Sequence, residues 1–138
     1  FSLGGNLVLR YLAEQGAQAN GPVAAAAAIS VPMFLADGAD YLNHGWSRLY
    51  VRNFLRSLEA KIVAKAPHFP GIYRTDKLGR LKSLRDFDEY FTAPIHGYAG
   101  ADDYYARASA GFVLEQISTP ALLIQALNDP FLPPSCFK

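Results

Sequence analysis

The chain has 138 residues, 51% hydrophobic and 18% charged, enough for one ordinary domain and too apolar to be disordered. Its longest apolar stretch, about residues 22 to 35, falls short of the ~20 residues that span a membrane, and no basic-then-apolar leader precedes it, so a soluble, cytoplasmic protein is expected. The single cysteine, Cys136, excludes an internal disulfide and leaves no second thiol to share a metal, which suits a reducing compartment.

The chain opens on "FSLGG", the back half of a G-x-S-x-G turn. From Gly4 to Gln15 the apolar residues Leu7, Val8, Leu9, Tyr11 and Leu12 leave one polar stripe, Asn6, Arg10 and Glu14, at i, i+4 spacing. That pattern predicts a mostly buried helix that starts right after Ser2 and stops at Gly16. After a turn at Asn20-Gly21-Pro22, "VAAAAAISVP" is a continuous apolar run. Alanine alone favours helix, but the length and the flanking turn residues predict a buried parallel strand over Val23 to Val31.

Residues 33 to 117 read as mainly helical. In "WSRLYVRNFLRSLEAKIVAK" the residues Val51, Phe54, Leu55, Leu58 and Ile62 mark one face while Arg48, Arg52 and Arg56 run along another, a firm amphipathic helix. "TDKLGRLKSLRDFDEYF" predicts a shorter, less regular helix. "GADDYYARASAGFVLEQI" predicts a third, with Asp102 and Asp103 in the first turn where the helix dipole favours negative charge. "PALLIQALNDP" then predicts a second buried strand, Ala121 to Leu127. Two parallel strands about 90 residues apart need a long crossover, so an α/β fold with an inserted helical lobe is expected, divided as 1–32, 33–117 and 118–138.

The net charge of +1 hides an asymmetry. Ten of the thirteen basic residues lie between Trp46 and Arg85 against two acids, whereas Asp86 to Glu115 holds six acids against one base. Either the two strips are solvated faces that neutralise each other within one lobe, or the basic strip meets anionic lipid or another acidic partner. No Gly-rich phosphate loop and no nucleic-acid module are present, so neither a cofactor nor a nucleic-acid partner is expected.

A serine hydroxyl needs a base to take its proton and donors to hold the oxyanion, and a sharp strand-to-helix turn supplies the geometry. Ser2 is thereby the candidate nucleophile, the Leu3 N–H an oxyanion donor, and Gly4 and Gly5 the room for close helix packing. The competing role for Ser2 is a helix N-cap. Asp129, at the end of the later strand in "ALNDPFLP", is the candidate acid; its competing role is a turn-forming Asn-Asp-Pro. The chain order of such triads is Ser, Asp, His, yet no histidine lies in the nine residues after Asp129. His44, His68 and His96 all precede it and lack metal-ligand spacing, so no metal is expected, and His96 is expected to tie a turn by hydrogen bonds. Tyr98, Tyr104, Tyr105 and Trp46 could line an acyl pocket or simply pack in a core.

Together "FSLGGNLVLRYLAEQG", "AAAAISVPMFL", "DFDEYFTAPIHGYAGADDYYARASA" and "TPALLIQALNDPFLP" resemble the α/β-hydrolase family of the bacterial YheT proteins and the ABHD1/2/3-type and yeast ethanol acyltransferase-type enzymes. The resemblance runs across essentially the whole chain. It implies a partial α/β-hydrolase fold with an inserted helical cap, and a serine carboxylesterase or acyltransferase acting on a small-molecule acyl ester. It further implies Ser2 as nucleophile, Asp129 as the acid that orients a histidine, sheet strands and an oxyanion loop before Phe1, and the catalytic histidine beyond Lys138. The rival expectation is a non-catalytic protein of the same fold that binds a partner or membrane through its charged cap.

Overall fold

The computed structural model describes residues 1–16 and 23–137. The expected turn at Asn20-Gly21-Pro22 lies outside the described residues. The chain forms two compact units, one made of Phe1–Gly38 with Ala108–Lys138, the other of Ala39–Arg107.

In the first unit, α1 spans Ser2–Gln15. Leucine, alanine, arginine and glutamate propagate it, an Arg10–Glu14 ion pair at 2.9 Å supports it, and Gly16 ends it at φ +54° with its N–H on the Leu12 and Ala13 carbonyls. Strand β1 (Ala26–Ile29) pairs in parallel with β2 (Ala121–Ile124), Ala26 opposite Ala121 and Ile29 opposite Ile124. This is a small parallel sheet with helices, an α/β arrangement. Both strands are shorter than their apolar runs. Ser30 adopts φ +51° and turns the first off the sheet, and an Asp129 N–H to Ala126 O bond of 3.0 Å bends the chain after the second.

Pairing is prolonged by one side chain. The Gln125 amide accepts from Val31 N–H at 2.8 Å and donates to Val31 O at 3.0 Å, standing in for a strand neighbour. The core gathers Leu9, Ala28, Val31, Met33, Ala110, Leu132 and Cys136. The expectation of two buried strands is corrected for β2, whose four residues are exposed, because α1 packs on β1 and little else among the described residues covers the sheet.

Helix α2 (Leu35–Tyr41) carries the chain into the second unit. There α3 (Ser47–Lys65) turns Val51, Leu55 and Ile62 inward, as its periodicity predicts. The second expected helix is only partly formed. Thr75–Lys77 is a 3₁₀ turn, and Gly79 takes φ +73° with its N–H on Glu59 Oε1 at 2.6 Å. A Ser83–Asp86 capping box then starts α4 (Leu84–Phe87), which runs through a π turn (Asp88–Thr92) into α5 (Ala93–Ile95). The third, α6 (Ala101–Ala108), has Asp102 and Asp103 in its first turn but stops nine residues short of Ile117, the last residue of the expected run, as Ser109 turns extended. No helix among the described residues is long and apolar enough to cross a membrane.

Candidate active site

Ser2 is exposed and sits at the first position of α1 with φ +49°, a left-handed conformation that costs a non-glycine residue roughly 1–3 kcal/mol. The N-cap is Phe1, with no side-chain cap, so Ser2 does not serve as the capping residue that its competing role required. The first backbone bond of the helix runs from Gly5 N–H to Phe1 O at 3.1 Å. The Leu3 N–H, ahead of it, is one of the first-turn donors with no intrahelical acceptor, at the positive end of the helix dipole.

The two glycines after Leu3 divide their roles. A Cβ on Gly5 would stand 2.5 Å from Val31 Cγ2 and 3.5 Å from the Ala28 Cβ, so its absence lets the first turn of α1 lie directly on the end of β1. A Cβ on Gly4 would meet nothing within 4 Å, and the expected packing role falls to Gly5. At the far end of the helix, Ser118 Oγ, just before β2, donates to Gly16 O at 2.6 Å. Helix α1 therefore runs antiparallel to the strands, with Ser2 at their C-terminal end.

Asp129 follows β2 by five residues at that same end. Its Oδ1 accepts from Phe131 N–H at 2.9 Å, which pins the half-buried carboxylate in an Asx turn while Oδ2 has no partner among the described residues. The C-terminal edge of a parallel sheet is where open α/β sheets bind ligands.

The i, i+4 spacing puts Asn6 on one polar stripe with Arg10 and Glu14, but the structure separates it from them. It is fully buried, its Oδ1 accepting from Ala110 N–H and its Nδ2 donating to Ala108 O, each at 2.8 Å. Buried Ser109 accepts from Leu35 N–H at 2.9 Å, and Gly111 donates to Met33 O at 2.9 Å. These bonds lock the returning chain onto α1 behind Ser2. The available signal was that Asn6 shares the inward face of Leu9 and Ala13, three and seven residues on.

The second unit holds the three histidines, all exposed. The turn at His96 is held by backbone bonds, Gly97 N–H to Pro94 O at 3.3 Å and Tyr98 N–H to Ala93 O at 2.9 Å, rather than by the imidazole as expected. Tyr98, Tyr104 and Tyr105 pack ring against ring at 5.3 and 5.4 Å, and burial pushes the Tyr104 hydroxyl up to about 12. Asp102 pairs with Arg85, which also binds Asp40 at 2.9 Å. Asp103 accepts from Ala99 N–H at 3.0 Å and pairs with Arg107 at 3.3 Å, and these contacts hold its carboxyl below the usual range. Among the described residues no group of three His, Cys, Asp or Glu side chains could hold a metal ion.

The chain is 41% identical over 135 residues to the YheT protein of Escherichia coli, whose name marks it as an inferred esterase, covering 96% of this chain and 39% of that protein. It is 34% identical over 133 residues to phospholipase ABHD3 of Mus musculus (96% of this chain, 32% of that one) and 30% identical over 145 residues to monoacylglycerol lipase of Saccharomyces cerevisiae (96% and 30%). It spans about a third of the length of these relatives. No family model and no solved structure matches it. The resemblance carried by "FSLGG", the His96 segment and "ALNDPFLP" is thus borne out, and along nearly all its length the chain is a relative of the α/β-hydrolases that include YheT, ABHD3 and the yeast lipase.

Proposed function

We propose that the protein is a serine carboxylic ester hydrolase acting on a small-molecule acyl ester. In this reading residues 1–32 and 118–138 contribute the nucleophile helix, two sheet strands and the acid turn of an α/β-hydrolase fold, with 33–117 as its inserted helical cap. The observation that carries it is the left-handed backbone of Ser2 at the head of α1, because a strained serine at the C-terminal end of a parallel sheet is the geometry of a nucleophile elbow. Relatives named as a phospholipase and a monoacylglycerol lipase support the ester chemistry.

Ser2 Oγ forms a bond to the ester carbonyl carbon as its proton passes to the histidine that the resemblance implies for the natural full-length protein, after Asp129 in the order of such triads. The Leu3 N–H steadies the oxyanion. Collapse breaks the acyl–oxygen bond, and the alcohol leaves with the proton from the imidazolium, whose charge Asp129 balances. Water then releases the acid; an alcohol in its place would give acyl transfer. A cytoplasmic setting suits Cys136, held as a buried free thiol.

A fluorophosphonate probe on the natural full-length protein tests this. Labelling lost in Ser2→Ala is the expected result, and labelling that persists there overturns the assignment. Asp129→Asn should fold normally and lose turnover by about 10⁴, the scale set by the wrong imidazole tautomer in serine proteases. An inert protein with unlabelled Ser2 would favour the non-catalytic rival.

A further inference from the structure

Helix α3 and the loop after it carry a surface that the Ser2 site does not use. Arg48, Arg52, Arg56, Lys61 and Lys65 are all exposed, and none has an ion-pair partner among the described residues. The helix's one acid, Glu59, is spent on the Gly79 N–H at 2.6 Å. Elsewhere in this unit most cations are matched, Arg74 and Lys77 with Asp76, Arg85 with Asp40 and Asp102, Arg107 with Asp103, while exposed Arg80 and Lys82 have no ion pair among the described residues. Between the two charge strips only Arg85 meets Asp102, and no ion pair among the described residues reaches α3.

Large apolar side chains are exposed among these charges. Trp46 is 84% exposed at the head of the helix, with Leu49 and Val63 along it, and Phe69 and Ile72 flank the left-handed Gly71 just past its end. Bare apolar groups at both ends of a helix ~28 Å long favour a partner that covers them. A duplex nucleic acid would satisfy the cations and leave Leu49, Val63 and Ile72 wet. A second copy of this surface would set five cations against five. A lipid headgroup layer suits both features, since lysine and arginine stems lie along the apolar boundary while their charges reach phosphates, and tryptophan favours that interface.

We infer that α3, together with the Phe69–Ile72 loop, is a docking surface for an anionic lipid bilayer. The inference does not depend on the catalytic reading.

The test is co-sedimentation of the natural full-length protein with phosphatidylcholine vesicles, with and without phosphatidylglycerol. Binding is expected to the anionic vesicles and to weaken as salt is added. The triple substitution R52Q/R56Q/K61Q should weaken it on the order of 100-fold. Trp46→Ala should weaken it several-fold at unchanged salt dependence, and brominated acyl chains should quench a fluorescence component absent from Trp46→Phe. These side chains are exposed, so the variants' circular dichroism should superimpose on that of the parent. Binding without preference for anionic vesicles, or undiminished in the triple variant, overturns the proposal. So does binding to duplex DNA that matches the vesicle affinity and ignores Trp46→Ala, or a dimer that binds no vesicles. Hydrolysis of a soluble short-chain ester by the same variants reads the Ser2 proposal separately.

Discussion

A single absent carbon at Gly5 positions the candidate nucleophile. Three residues after Ser2, it lets α1 touch Val31 and Ala28, so the helix head and the strand end share one level. Gly5→Ala would force a methyl to within 2.5 Å of Val31 Cγ2, in a core where Val31 is fully buried. Overpacking of that kind costs about 1–3 kcal/mol, less the helix propensity that alanine returns. We expect the variant to unfold at lower urea and to label more slowly with a fluorophosphonate even when fully folded, because the shift moves Ser2; normal labelling would detach the close approach from the site. The helix start at Ser2, the close packing at Gly5 and the turn at Asp129 were legible in the sequence because turn chemistry is local. Asn6 was not: the same i, i+4 spacing describes a solvated stripe and a residue at the edge of the buried face, and only the arrival of Ala108 and Ala110 separates them.

At the scale of elements, α4, the π turn and α6 are joined by a polar cluster. Tyr105 donates to Asp88 Oδ2 at 2.7 Å, and Arg85 stacks on the Tyr105 ring at 5.1 Å while holding Asp40 and Asp102. Burial pushes the Asp88 carboxyl above its ordinary value, outweighing the hydrogen bonds from Thr92 and Tyr105 and the charge of Arg85. A carboxyl whose folded pKa is raised binds its proton more tightly in the folded state. Its favourable contribution is therefore complete below the unfolded value of about 3.9 and is lost as pH rises through the raised one. Asp88→Asn cannot ionise but still offers an oxygen to Tyr105. Urea midpoints followed upward from pH ~4 should therefore fall for the parent relative to the variant, with the gap levelling once Asp88 is fully charged; parallel profiles would show that burial does not govern this group. Periodicity revealed α3 in advance, but no local signal marked the π turn, which forms where Phe87 and Phe91 stack at 5.1 Å with Phe91 buried.

For the chain as a whole, the notable surface is apolar. Leu3, Leu7, Val8 and Tyr11 on α1 and Leu122, Leu123 and Ile124 on β2 are all exposed, and a short strand with open edges and bare faces recruits other chains. Expressed as these 138 residues alone, the chain is expected to self-associate. Sedimentation velocity should show species that grow with concentration; a sharp monomer with a fixed near-UV spectrum would show that its own packing suffices.

What the sequence alone determined about this protein follows from short-range chemistry: a helix beginning at Ser2 and ending at Gly16, the amphipathic α3, two parallel strands joined by a long helical excursion, and a kinship readable from "FSLGG" to "ALNDPFLP". Helix period, turn residues and apolar runs act over a few residues, so they survive without the fold. The tertiary structure alone decided that Asn6 is a buried clasp, that Gln125 extends the sheet by its side chain, and that the cations of α3 go unmatched among the described residues while Arg85 is held by Asp40 and Asp102. Each joins or fails to join residues far apart in the chain, and a hydrogen bond or ion pair across such a distance forms only once the backbone has brought donor and acceptor within about 3 Å.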